Sequence, residues 1–442
     1  MQGSTRRGVL AGSAGLAAGA LIPASAGAML AGPVEVNGRT YRLPRRPTVA
    51  ICVDGFDPAY LEQGVRDGLM PNLARFRAQG FATTARGVMP SFTNPNNTSI
   101  LTGVPPAIHG ISGNYYLDRR SGKEVMITDA SALRCETILG RMSQVGVRAA
   151  GVTAKDKLRE IIGYKLNGIV FSSQHADKAT MANAGIDDVE GLVGRKTPDQ
   201  YDPDLSYFVL DAGAALIERR GAQLLYLSLS DVIQHTYAPG EPQANAFLAG
   251  IDQRIGRLVA LGAVVGVTGD HGMNDKSKPD GSPAVIWLED VLNARFGTDA
   301  VRVICPITDP FVRHHGALGS FVRVYARDPA KADAMIAATR ALPGVEAVLT
   351  GAEAARRFET PPEYEGDFAV IATRHVVIGS AAARHDLSSL AGHRLRSHGG
   401  LSEQHMPFLI SAPLRREHAA RAAWGDVRNY DLFDYLLNGL RG

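Results

Sequence analysis

TVAICVD, Thr48 to Asp54, is the stretch on which the fold turns: a short β-branched run that stops on a carboxylate and is followed at once by Gly55. A run of strand length that is apolar at every position, not at alternate ones, belongs to a strand covered on both faces. Two further stretches repeat the form. GAQLLYLSLSD closes on Asp231 and LGAVVGVTGD on Asp270, and helical segments such as PNLARFRAQG, ended by Gly80, lie between the runs. Continuous apolar strands separated by helices predict an α/β core with a mostly parallel central sheet flanked by helices. In such sheets ligands collect at the carboxyl ends of the strands, so Asp54, Asp231 and Asp270 are expected along one edge.

The character of the chain changes between about Asn274 and Arg396. GSFVRVYA, the helical DPAKADAMIAATRALPGV and the half-buried alternation of DFAVIATRHVVIGS predict a smaller α+β unit inserted as a cap over that edge. The core is therefore assigned to 48–274 plus 396–442, and the cap to 275–395. Ahead of the core, STRRGVLAGSAGLAAGALIPASAGA has paired Arg6 and Arg7, an Ala/Gly/Leu-rich stretch, then small residues at Ala24, Ala26 and Ala28. This is the layout of a twin-arginine export signal over 1–28 and places the protein in the periplasm. A start codon set too early would instead leave it in the cytoplasm. The stretch is too glycine-rich to span a membrane.

Composition narrows the partners. With 47 basic and 44 acidic residues in 442, the formal net charge of +3 is too small to indicate nucleic acid, and small ligands become the default. The three cysteines, Cys52, Cys135 and Cys305, are widely spaced and suggest neither a disulfide framework nor a cysteine metal site.

The polar residues attached to the strand ends carry the chemistry. DVIQH sets Asp231 and His235 four apart, on one face of any helix that begins there. GDHGM puts His271 beside Asp270, and SHGG adds His398. With Asp54 this makes three carboxylates and three imidazoles, a mixed donor set that suits zinc and is large enough for two ions. PSFTNPNNTSILTG, Pro90 to Gly103, reads as a loop up to about Asn97 with a helix starting at TSILTG. Thr93 in that loop is the candidate nucleophile, since Thr98 and Thr102 fall in the helical part and would back-bond to it. Read locally, Lys155 and Lys157 of TAKDKLR form a solvated helix start, and His314 and His315 lie on the surface of the cap.

The order Asp54, T-N-P-N from Thr93 to Asn96, Thr102-Gly103, His109-Gly110, D-x-x-x-H, D-H-G and H-G resembles the nucleotide pyrophosphatase/phosphodiesterase-like branch of the alkaline phosphatase superfamily. Within that branch VNGRTYRLPRRPTVAICVDG, HGISGNYY, VTAKDKLR and RSHGGLSEQ are most similar to the phosphonoacetate hydrolase family. The resemblance implies an alkaline-phosphatase-like fold and two Zn²⁺ ions, one on Asp54, Thr93, Asp270 and His271, the other on Asp231, His235 and His398. It also implies that Asn114, Lys155 and Lys157 contact the substrate, that His109 and His405 hold no zinc and are hydrogen-bonded structural histidines, and that phosphonoacetate is cleaved at its carbon–phosphorus bond through a phosphothreonine. A phosphodiesterase or nucleotide pyrophosphatase on the same scaffold is the alternative, and a periplasmic module that binds phosphonate or metal without turnover is the third. The expected partner is a small phosphonate, with no nucleic acid and no stable membrane association once the leader is removed. A homodimer is left open.

Overall fold

The computed structural model describes Met1, residues 32–390 and residues 392–441. The leader expected over 1–28 thus lies, apart from Met1, outside the described residues. In chain order the strands that frame the site are β1 (Thr48–Val53), β2 (Phe81–Arg86), β3 (Ala149–Thr153), β4 (Ile169–Ser172), β5 (Leu224–Ser228), β6 (Val264–Gly269), β7 (Val301–Ile304), β8 (Phe321–Ala326), β9 (Val345–Thr350), β10 (Phe368–Ala372) and β11 (His405–Ile410). The helices needed are α1 (Thr93–Thr102), α2 (Asp204–Arg220), α3 (Val232–Thr236), α4 (Pro242–Ala260) and α5 (Leu432–Leu437).

Seven strands form one sheet in the order β2-β11-β6-β1-β5-β3-β4. Neighbours from β6 to β4 are parallel, while β11 runs antiparallel to both β6 and β2. The continuous apolar pattern of β1 has a direct structural cause. Val49, Ile51 and Val53 face one core with residues of α2 and α4, whereas Ala50 and Cys52 face the opposite core with residues of α5. Successive side chains of a strand point to opposite faces, so a strand with helices on both sides has no solvent-facing position to fill with a polar residue. Burial of each such Val or Ile side chain stabilises the fold by about 1.5–3 kcal/mol.

Within the stretch expected as an inserted cap, β7-β8-β10-β9 form a second, antiparallel sheet around a separate apolar cluster that includes Val303, Phe321, Val324, Met335 and Phe368. Met89 and Phe92, from the segment ahead of α1, belong to that same cluster. The cap is thereby packed onto the segment that carries Thr93. The two ends of the insertion meet in a short antiparallel ladder, with Asn274 opposite Ser397 and Asp275 opposite Arg396.

One local expectation is corrected. The loop predicted up to Asn97 is helical from Thr93 onward. Pro95 falls in the first turn, where a missing N–H costs little. Two of the asparagines that favour turns bond back onto the helix: Asn96 Nδ2 donates to the carbonyl of Phe92 at 3.1 Å, and Asn97 Nδ2 to that of Thr93 at 3.0 Å. Thr98 and Thr102 back-bond to Asn94 and Thr98, each at 2.7 Å, as the sequence suggests.

Candidate active site

The carboxylates arrive where the strand ends predict. Asp54 follows β1 directly, Asp270 follows β6, and Asp231 caps α3 just beyond β5; all three are buried. His271 comes with Asp270, and α3 carries His235 back so that its Nε2 stands 3.1 Å from Asp231 Oδ2. His398 enters from the end of the insertion, its ring stacked on that of His271 with centroids 3.4 Å apart. Among the described residues three groups result, the ligand atoms within each lying within 4.8 Å of one another: Asp54 with Asp270 and His271, Asp231 with His235 and His314, and Asp231 with His271 and His398.

Hydrogen bonds fix the imidazoles in one sense. His235 Nδ1 donates to the carbonyl of Arg396 at 2.8 Å, His271 Nδ1 to that of Gly272 at 2.9 Å, and His398 Nδ1 to that of Ser91 at 2.8 Å. A carbonyl only accepts, so the proton of each neutral ring sits on Nδ1 and the Nε2 lone pair is turned into the cluster. This is how ligating histidines are oriented by their surroundings. Asp270 is held in the same manner. Its Oδ1 accepts from the amides of Gly55 and His271, and its Oδ2 from Asn97 Nδ2 at 3.0 Å. Asn97 is fixed in turn by Tyr226 and Ser228, whose hydroxyls donate to its Oδ1.

Asp54 Oδ1, His271 Nε2 and His314 Nδ1 are buried without a hydrogen-bond partner, although the first two face each other across 3.1 Å. Burial and the charge of Asp54 push the Asp270 carboxyl up to about 8. Burial depresses His271, but Asp270 and Asp54 outweigh it and raise the imidazole to about 9. Burial and the neighbouring His271 ring hold His398 well below its usual range. Inward lone pairs, crowded carboxylates and orphaned buried atoms fit divalent cations, which would replace protons as the counter-charge.

That displacement is measurable. Asp270 and His271 both hold protons more tightly than the isolated groups do, so addition of a divalent ion in weak buffer is expected to release protons, with affinity rising as the pH is raised. An indicator-dye titration with no acidification on binding would show that these groups are not displaced.

The lysines depart from their local expectation. Lys155 and Lys157 are buried, not solvated. Lys155 Nζ donates to Asp54 Oδ2 at 2.7 Å and to Asp231 Oδ1 at 2.5 Å, tying together carboxylates of two different strands. Burial works against its charge, but Asp231 and Asp54 prevail and keep the amine firmly protonated. Lys157 pairs with Asp309 of the cap. Asn114 is buried as well, its Oδ1 accepting from the Asn94 amide at 3.0 Å in the first turn of α1.

Thr93 opens α1 and is buried. Its surroundings locate it: Ser91 and Phe92 touch His398, the latter ring edge-on at 5.6 Å, and Asn97 one turn later touches Asp270. The segment thus runs past the metal-type cluster on both sides of Thr93.

His314 and His315 were expected on the surface of the cap and are buried against the cluster instead. The His235 and His314 rings lie 4.3 Å apart, and His314 Nε2 is 3.9 Å from Asp231 Oδ1. The cap loop folds down into the core edge, a long-range contact that no local pattern encodes. His315 has the opposite tautomer, because its Nδ1 accepts from the amide of Ala317 at 3.0 Å. His109 is structural, as expected, joined to Ser99 Oγ at 2.8 Å and to the Ile111 amide. His405 is exposed, and Cys52, Cys135 and Cys305 are free.

This fold and site have known counterparts. The chain belongs to the type I phosphodiesterase / nucleotide pyrophosphatase family, which it matches over residues 48–372, and it has that family's alkaline-phosphatase-like fold. More particularly it is similar to phosphonoacetate hydrolase from Sinorhizobium meliloti 1021, at 45% identity and a TM-score of 0.87 over 92% of this chain and 98% of that one, in crystal structures with phosphonoacetate and with phosphonoformate. A phosphonoacetate hydrolase of Penicillium oxalicum is 60% identical over 40 residues, which is 9% of this chain and 56% of that one. An uncharacterised pyrophosphatase/phosphodiesterase of Schizosaccharomyces pombe is 23% identical over 257 residues, 55% of this chain and 47% of that one. The chain thus spans about half the length of these two curated relatives.

Proposed function

We propose that the protein is a dizinc hydrolase that splits the carbon–phosphorus bond of phosphonoacetate into acetate and phosphate. The observation that carries this is the 45% identity, over nearly the whole of both chains, to a phosphonoacetate hydrolase solved with phosphonoacetate bound. Asp54, Thr93, Asp270 and His271 would hold one ion, and Asp231, His235 and His398 the other. When bound, the two ions supply Lewis acidity that lowers the pKa of hydroxyl groups and offsets the charge of the phosphonate.

The chain's own groups then divide the work. Thr93 gives up its hydroxyl proton, to be matched by the one the leaving acetate later takes up, as Oγ1 attacks phosphorus and the phosphorus–carbon bond breaks with its electron pair passing to the methylene carbon. That pair delocalises into the substrate carboxylate as an enolate, which takes a proton to become acetate. Water cleaves the phosphothreonine and returns the Thr93 hydroxyl with release of phosphate. Carbon is a poor leaving group, so positive charge near the carboxylate matters most as the bond breaks. Lys155 and Lys157 are proposed to provide it, with Asn114 contacting the substrate beside them.

The test is to incubate zinc-loaded protein with phosphonoacetate and, separately, with a nitrophenyl phosphodiester. Equimolar acetate and phosphate from the first is the expected result. Turnover of the diester alone would replace this reading with a phosphodiesterase.

A further inference from the structure

Asp309, in the cap loop that follows β7, has no place in the chemistry described so far, yet its carboxylate reaches the two groups proposed to meet the two ends of the substrate. Its Oδ2 pairs with Lys157 Nζ and accepts from Asn114 Nδ2 at 3.4 Å. Its Oδ1 accepts from the Phe311 amide at 2.7 Å, which fixes the carboxylate within its own turn, and faces His315 Nε2 at 3.7 Å. The side chain is only 5% exposed. Lys157 follows β3 and Asn114 lies after α1, so these partners come from two separate parts of the core, whereas Asp309 comes from the cap. Asn114 is held from both sides: its Oδ1 accepts from the Asn94 amide in the core, and its Nδ2 also donates to the carbonyl of Ile307, again in the cap loop, at 3.1 Å.

We propose that Asp309 is a positioning residue through which the cap sets the spacing between Lys157 and Asn114, and so makes the site selective for substrates that carry a carboxylate beside the phosphonate. A lysine on a flexible four-carbon stem does not hold its ammonium at one point unless something fixes it. A buried carboxylate paired with it does so. Asp309 is itself ionised: burial raises its carboxyl, but Lys157 more than offsets this and holds it well below the usual range. The His315 tautomer suits the same arrangement, with Nε2–H turned toward Asp309 and no lone pair there to compete.

The inference rests on the proposed reaction, and the experiment separates the two. Zinc-loaded wild type, Asp309→Asn and Asp309→Ala are compared on phosphonoacetate and on a nitrophenyl phosphate ester that has no carboxylate. Expected for both variants is a KM for phosphonoacetate at least tenfold higher, with kcat/KM on the ester changed less than threefold. In parallel, amine acylation followed by peptide mass spectrometry reads Lys157 directly. Its labelling rate should rise at least fivefold in both variants with that of Lys155 unchanged. A merely structural role would lower both substrates together. Equal loss on both, or a KM for phosphonoacetate like that of wild type, overturns the proposal while leaving the hydrolase reading intact. If wild type does not turn over phosphonoacetate, the hydrolase reading falls, and the labelling alone decides whether Asp309 holds Lys157: an unchanged rate overturns that hold.

Discussion

Zinc-loaded Thr93→Ala will lose on the order of 10⁴-fold or more in kcat on phosphonoacetate, the scale on which enzymes respond to loss of a nucleophile. Its urea midpoint will stay near that of wild type, because the substitution only shortens one side chain in the first turn of α1 and alanine favours a helix. Acid quenching during turnover should trap phosphate on Thr93 of the wild type, detectable by mass spectrometry, and none on the variant. Thr93→Ser restores a hydroxyl at the same point and should recover much of the rate. A Thr93→Ala enzyme that works nearly as well as wild type would remove the nucleophile from the proposal. Thr98 and Thr102 do not replace it, since both hydroxyls are bonded to carbonyls of the helix.

Lys155→Ala is expected to affect both rate and stability. Its ammonium neutralises Asp54 and Asp231 at once, and breaking a buried ion pair from one side costs roughly 3–5 kcal/mol because the remaining charges are left without a partner. In metal-free protein the urea midpoint should fall accordingly. With saturating zinc the difference should shrink, as divalent charge takes over the neutralisation. The rate on phosphonoacetate should nonetheless drop by about 10²-fold, the typical cost of removing one preorganised electrostatic contact from a transition state. Equal stability of variant and wild type in the absence of metal would mean that Lys155 does not neutralise the carboxylates as the geometry indicates.

The strands and their terminal carboxylates were legible because burial on two faces leaves a simple trace, an apolar residue at every position until the chain leaves the sheet. Asp54, Asp231 and Asp270 could be placed on one edge from that trace alone, and D-x-x-x-H gave the approach of His235 to Asp231 from helical spacing. What escaped was set by contacts between distant segments. His314 reads as a surface residue because nothing in PFVRHHG tells that the cap loop turns into the core; only its packing against His235 shows it. Lys155 and Lys157 read as solvated for the same reason, since the carboxylates that stabilise them come from β1, the start of α3 and the cap. Asp309 carried no signal beyond an aspartate before a proline. The start of α1 was missed because Pro and Asn usually mark turns, and here tertiary packing and side-chain bonds to the helix's own carbonyls outweigh that preference.

The paired ladder at residues 274–275 and 396–397 has a further consequence. Since the insertion leaves and rejoins the core at one seam, a cap from a relative could be grafted by matching a single junction, with the seven-stranded sheet left intact. Yet Arg396, on that junction, supplies the carbonyl that orients His235, and His398 stands one residue beyond it. The cap is topologically detachable but chemically bound to the metal-type cluster, so any exchange that moves the seam will also move the imidazoles.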